Sequence, residues 1–490
     1  MKKILSLLLL VALLLVSVVA CAGGGSGSSG TTADTTDGVT TGGYTTTETP
    51  AVTGSPIDSL EKVDYDGYGF TFYTRSCCDH AGAIFADAEA TDIVDVATYN
   101  RNEKVYALLN AEILEPLTAK DGPAYDLIIA MQSGEDICDA IMWHRGYAAS
   151  MAADGLLLNL ASVDYFSFDQ DWWASDLIEN YRYKDTQYLA AGHMTTDFVT
   201  DIGCMIFNRT MFNDIFPNNN LYDEVRDEEW TLDRLNYYLQ NAGADLDNDG
   251  IYIPGDRLSM SVSRQHFYQF MYGSDQFAIL QDEDGVPQEV INTEKTVDIV
   301  NKVYDMMIAN PKVYRIENPE AAEEIFVRGQ AMFGAVAFRD MTESGLRKME
   351  DGYGVLPYPM YNEEQGHYNS RQFAHGSLFC LPYLLEKPER SAHIVEAMAR
   401  IGYEDVTPVL YEMALKEKYS NPDDWEMLDI VVGGLTSDFA DICGGFHFTL
   451  DDLVGVQLSK DFASYYAGLA STKNQKMQDV LMLFERYANR

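Results

Sequence analysis

From Tyr68 onward the chain alternates between short apolar runs and longer segments whose apolar residues recur three and four apart. The run GFTFYTR (69–75) predicts an opening strand, and DVATYNRNEKVYALLNAEIL (95–114) sets Val105, Leu108 and Leu109 at helical spacing. YDLIIAMQ (125–132) and DAIMW (139–143) read as further strands, being short apolar runs bounded by turns. This is βαβ patterning. It implies a mainly parallel sheet covered on both faces, with a ligand crevice at the carboxyl ends of the strands. A second stretch has the same character: DIGCMIFN (201–208) as a strand, RTMFNDIF (209–216) as an amphipathic helix, AMFGAVAF (331–338) and GYGVLPYP (352–359) as strands. SAHIVEAMARIG (391–402), VTPVLYEMALKEKY (406–419) and NQKMQDVLMLFERYANR (474–490) then turn the end of the chain helical. No internal repeat is present.

The opening differs. Met1-Lys2-Lys3, the apolar run Ile4 to Val19, and Ala20-Cys21 have the layout of an export signal, too short and wrongly flanked for a membrane span of roughly 20 apolar residues. Val18-Val19-Ala20-Cys21 resembles a bacterial lipobox, which makes residues 1–20 a signal peptide and Cys21 the lipidated residue on the extracytoplasmic face of the cell membrane. Residues 21–59 are rich in Gly, Ser and Thr with almost nothing apolar, so they predict a flexible tether. The remaining 430 or so residues exceed what one core usually supports, and two lobes are expected.

With 47% hydrophobic and 12% aromatic residues the body is globular, with rings to spare for stacking on flat apolar faces. Net charge is −42, and no basic run occurs, so nucleic acid is excluded as a partner. Cys77, Cys78, Cys138, Cys204, Cys380 and Cys443 are too sparse for a disulfide framework and show no zinc spacing; their oxidation state stays open.

Several segments together carry a family resemblance. GEDICDAIMWHRGYAASMAADGLLLNLASV (134–163), DWWASDLIENYRYKDTQYLAAG (171–192), a strand ending IFNRTMFNDIF (206–216), IFVRGQAMFGAVAF (325–338) and DGYGVLPYPMYNEEQGHYNS (351–370) resemble, in order, the family-1 extracellular solute-binding proteins, the group that includes the maltose-binding proteins. The resemblance implies a two-lobe, type II periplasmic-binding-protein-like α/β fold with an interlobe ligand cleft and a helical C-terminal part. Residues 60–197 with 370–405 would form lobe 1, and 198–369 with 406–490 lobe 2. It further implies a monomer, not an enzyme, that captures a sugar or oligosaccharide between its lobes and passes it to an ABC permease.

Sugars present hydroxyl rims and apolar C–H faces, so their sites need aromatic rings and planar polar side chains. Trp143, His144 and Arg145 follow the DAIM strand where the family holds a first-lobe aromatic and polar cluster. His193, Thr196 and Asp197 precede the inferred hinge, with His193 equally readable as a structural histidine. Phe338 and Arg339 resemble the second-lobe aromatic position, although Phe stands where sugar binders of the family often carry Trp. Arg371, Gln372 and Phe373 lie where the chain crosses back, and His447 follows Gly444-Gly445. Trp172-Trp173 reads as packing within a helical segment.

One loop has calcium spacing. Asp245, Asp247, Asp249 and Asp256 occupy positions 1, 3, 5 and 12, Gly250 position 6, and the Ile251 carbonyl position 7. Asp replaces the usual Glu at position 12 and no clear helix pair flanks it, so a structural Ca²⁺ in an EF-hand-like loop is expected. Two other functions remain open: a lipid-anchored glycoside hydrolase, since 76 acidic residues make carboxylate pairs unavoidable, and a surface sensor without a transporter.

Overall fold

The computed structural model describes residues 55–77, 80–343, 345–349, 352–373, 376–419, 421–443 and 450–487. Residues 1–54, with Cys21 among them, and Cys78 and His447 lie outside them. Among the described residues no helix is long and apolar enough to cross a membrane.

Thirteen strands occur along the described chain: β1 (Tyr68–Phe70), β2 (Phe72–Arg75), β3 (Ala111–Ile113), β4 (Leu117–Ala119), β5 (Ala140–His144), β6 (Gly203–Asn208), β7 (Leu258–Ser263), β8 (Ile279–Gln281), β9 (Pro287–Glu289), β10 (Val313–Ile316), β11 (Ala331–Ala337), β12 (Tyr353–Leu356) and β13 (Ser377–Cys380). The first sheet runs β13-β5-β2-β4, with β2 parallel to β4 and β5 and β13 antiparallel to β5, and a short parallel ladder joins β1 to β3. The second runs β10-β7-β11-β6-β12, where β6 alone is antiparallel to its neighbours. Every residue of β6, β7 and β11 is buried, as expected of strands covered on both faces.

Helices cover the sheets. Ile93–Leu109 starts where Asp92 accepts from the Val94 amide and stops at Asn110, which takes the left-handed conformation (φ 47°). Val105 and Leu109 are wholly buried on that helix, and so is Arg101, which donates to the carbonyls of Ala83, Ile84 and Met194. Burial holds the Arg101 guanidinium down to about 9.

The run YDLIIAMQ departs from the strand expected of it. Tyr125–Gln132 is a helix that buries Leu127, Ala130 and Met131 and exposes Tyr125 and Ile129. Spacings of three and four within the run decide its conformation; its brevity and apolar content resemble a strand's. Trp172 and Trp173 stand in the turn before the helix Ser175–Asn180, not within a helix. Both indole N–H groups donate to Glu396, at 2.8 Å each, and Arg400 Nε donates to the same carboxylate at 2.9 Å. The pair is packing, as its sequence context indicates.

Cys138, Cys204, Cys380 and Cys443 are buried free thiols and Cys77 is a half-buried one. Burial pushes all four buried thiols up, which keeps them protonated.

Candidate functional site

Three chain segments lie side by side where the two sheets meet. Ile202 bridges to Gln372 and Ser370 to Leu435, so residues leading into β6, into β13 and into the late helices share one junction. Gly203 opens β6 there, and a Cβ on it would stand 2.5 Å from the Gln269 amide nitrogen, so a larger residue would require that side chain to move. The ends of β2 (Arg75), β5 (His144, Arg145) and β11 (Phe338, Arg339) bring further side chains to the ends of both sheets.

Two buried polar groups form at this junction. In the first, Arg371 donates to Asp441, and Arg145 Nε lies 3.6 Å from the same carboxylate. Tyr181 donates to Asp441 at 2.7 Å, and the Arg371 guanidinium sits 3.9 Å from the centre of the Tyr272 ring. Asp438, close behind, accepts from the amides of Ala278, Ile279 and Ala440. Burial disfavours charge on both arginines, yet Asp441 holds both above their ordinary value; burial likewise pushes Tyr181 and Tyr272 up. Two arginines against two aspartates leave the group close to neutral.

In the second, His80 Nδ1 lies 2.8 Å from Asp197 Oδ2, Arg339 pairs with Asp201, and Arg75 donates to Ser377 Oγ at 2.8 Å. Burial raises Asp201, against the pull of Arg339. Several buried polar atoms are left without a protein partner: Nε and Nη1 of Arg371, Oε1 of Gln372, Oε1 of Gln269, Nε2 of His80, Oδ2 of Asp201 and Nδ1 of His266. Buried polar atoms without a protein partner also occur elsewhere among the described residues, so at this junction they add to a dense polar group rather than set it apart.

The residues singled out from sequence divide accordingly. Arg145, Asp197, Arg339, Arg371 and Gln372 meet at the junction, with Gln372 Nε2 donating to the Phe198 carbonyl at 3.1 Å and Thr196 buried directly before Asp197. His144 uses Nδ1 to accept from the Gly146 amide at 3.2 Å and so caps the helix Arg145–Ala153. The Trp143 ring is wholly buried and packs on Tyr73 at 5.3 Å, with its indole N–H donating to the Gly122 carbonyl. Phe338 is likewise wholly buried, against Tyr411. His193 stands apart, 2.6 Å from Thr407 Oγ1, and burial holds it down to about 3. Asp438, Asp441, His80 and Tyr181 were missed from sequence. The signal available was Ser-Asp-Phe-Ala-Asp-Ile-Cys (437–443), two carboxylates three apart inside an apolar run, which buries both.

Two solved structures share this architecture. A cyclo/maltodextrin-binding protein complexed with maltotetraose is 12% identical, with a TM-score of 0.52 over 88% of this chain and 99% of its own. An ABC substrate-binding protein from Listeria monocytogenes in complex with cycloalternan is 12% identical, with a TM-score of 0.50 over 87% and 100%. The chain has the two-lobe solute-binding fold. No protein-family model and no curated protein matches it. The polar junction lies between the two sheets.

The acidic loop stands away from the junction, between the helix Leu232–Ala242 and β7. Carboxylate oxygens of Asp245, Asp247 and Asp249 lie within 4.8 Å of one another. Gly250 takes φ 84°, as the sharp turn requires, and its amide donates to Asp245. Asp256 is buried and uses both oxygens to accept from the Leu246 and Ile253 amides, which shapes the loop.

Proposed function

We propose that this chain is a lipid-anchored, extracytoplasmic solute-binding protein that captures a carbohydrate between its lobes and delivers it to an ABC importer. The observation that carries the reading is the buried Arg145–Asp441–Arg371 group with unpartnered polar atoms around it, set at the junction of a two-lobe fold. Support comes from the solved structures of that fold, whose described ligands are maltotetraose and cycloalternan. The lipobox-like Val18 to Cys21 and the polar segment after it support anchoring.

Titration of the full-length protein with linear and cyclic glucose oligosaccharides tests this. Arg145→Ala should weaken binding at least tenfold while Glu396→Gln, which alters packing around Trp172 and Trp173, leaves it unchanged. Equal loss in both would point to general destabilisation and remove the site.

Calcium belongs to the same reading. Asp245, Asp247 and Asp249 offer hard oxygens that repel one another without a cation, and the Ile251 carbonyl is the fourth donor of the spacing. Asp256 then acts by holding the loop rather than the ion. Bound there, Ca²⁺ would stabilise the connection between the helix Leu232–Ala242 and β7.

A further inference from the structure

A cavity of about 740 Å³ lies beside the junction, walled by residues from 171–176, 193–198, 403–411 and 425–435. It shares no lining residue with the arginine–aspartate groups. Trp173, Tyr403, Tyr411 and Trp425 supply aromatic walls, with Tyr411 and Trp425 in contact at 6.3 Å between ring centres. Asp171, Asp176, Glu404 and Asp429 line it as well, and the described lining holds no lysine or arginine. His193 contributes a ring that burial keeps neutral.

Among the described residues no cation matches these carboxylates. Among the described residues Asp171, Asp176 and Asp429 make no side-chain hydrogen bond or ion pair, and Glu404 accepts only from the uncharged Ser55 hydroxyl at 2.6 Å. The negative potential acts on the walls: Tyr403 is raised by burial and then by Asp171, Asp429 and Glu404, and Tyr411 by burial and then by Asp429. A neutral sugar would stack on the rings but leave the carboxylates without a counter-charge. An anion would be repelled.

We infer that this aromatic, acid-lined cavity is a second ligand site that takes a small organic cation carrying an amine or quaternary ammonium group. Ring faces attract a desolvated cation, and carboxylates add long-range attraction. A volume of about 740 Å³ falls in the usual range of small-molecule pockets. The inference is independent of the carbohydrate reading, because a different set of residues carries it.

The test is calorimetric titration of the full-length protein with choline and with spermidine, using 3,3-dimethylbutan-1-ol as the uncharged counterpart of choline. At least one cation should bind while the alcohol does not, and both Trp425→Ala and the exposed substitution Asp429→Asn should weaken that binding at least fivefold. Asp429→Asn should melt as the wild type does, so its loss of affinity reports charge rather than folding. No binding of either cation, equal binding of the alcohol, or affinity unchanged in Asp429→Asn would overturn the assignment.

Discussion

Arg371 and Asp441 form an ion pair in which both side chains are fully buried. They are 70 positions apart and tie the segment crossing back towards β13 to the one leaving the late helices. Charges buried this deeply contribute specificity of arrangement more than net stability, because desolvation offsets much of their attraction. Removing one partner is a different matter. It strands a charge in the interior.

Asp441→Asn should therefore cost about 3–5 kcal/mol, since Arg145 and Arg371 both lose their shared carboxylate. Denaturant melts would show a lower midpoint at unchanged slope. A midpoint within experimental scatter of the wild type would contradict the buried pairing.

Glu396 serves two indoles and Arg400 at once. In Glu396→Gln one acceptor oxygen becomes a donor facing an indole N–H, and the arginine loses its counter-charge. A cost of about 2–3 kcal/mol is expected, measured by the same melts. Carbohydrate affinity measured below the transition should stay unchanged if the tryptophans only pack.

His193 gives a pH dependence with a definite sign. Its folded-state value of about 3 lies below the unfolded value of roughly 6.5, so the unfolded chain binds the proton more readily. The stability it contributes is complete above pH ~6.5 and falls as pH drops, by roughly 1.4 kcal/mol per unit well below that value. His266, also held down to about 3 by burial, acts in the same direction. Buried Asp201 and Asp438, raised by burial, act oppositely. Comparing wild type with His193→Gln cancels those shared terms, and the variant should lose less stability between pH 7 and pH 5. Parallel losses would contradict the buried neutral imidazole.

The acidic loop predicts a metal response. Chelation should lower the melting temperature and Ca²⁺ restore it, because an ion bound only by the native state stabilises by about 2.7 kcal/mol at a hundredfold excess over Kd. Asp247→Asn should blunt that response. A melt indifferent to chelation would remove the ion.

The fold was legible where burial is continuous. β5, β6 and β11 appear as unbroken apolar runs, and their places in the two sheets follow from that. The run 125–132 was not legible, because eight apolar-rich residues fit both periods until Ile129 is seen exposed. The site was partly legible. Arg145 and Arg371 reach the polar junction from a strand end and a crossing, whereas Asp441 and His80 depend on contacts across 70 and 117 positions that local pattern does not encode. Trp143 shows the converse: an aromatic at a strand end reads as a stacking surface, yet the turn at Gly122 caps its nitrogen and Tyr73 covers its ring.

The most direct test is to titrate the full-length protein with a panel of mono- and oligosaccharides, peptides and polyols, then recover the bound ligand and analyse it chemically. The account predicts saturable binding of a carbohydrate, lost in Arg371→Ala and recovered unaltered. Binding confined to peptides, or a carbohydrate recovered in cleaved form, would contradict it.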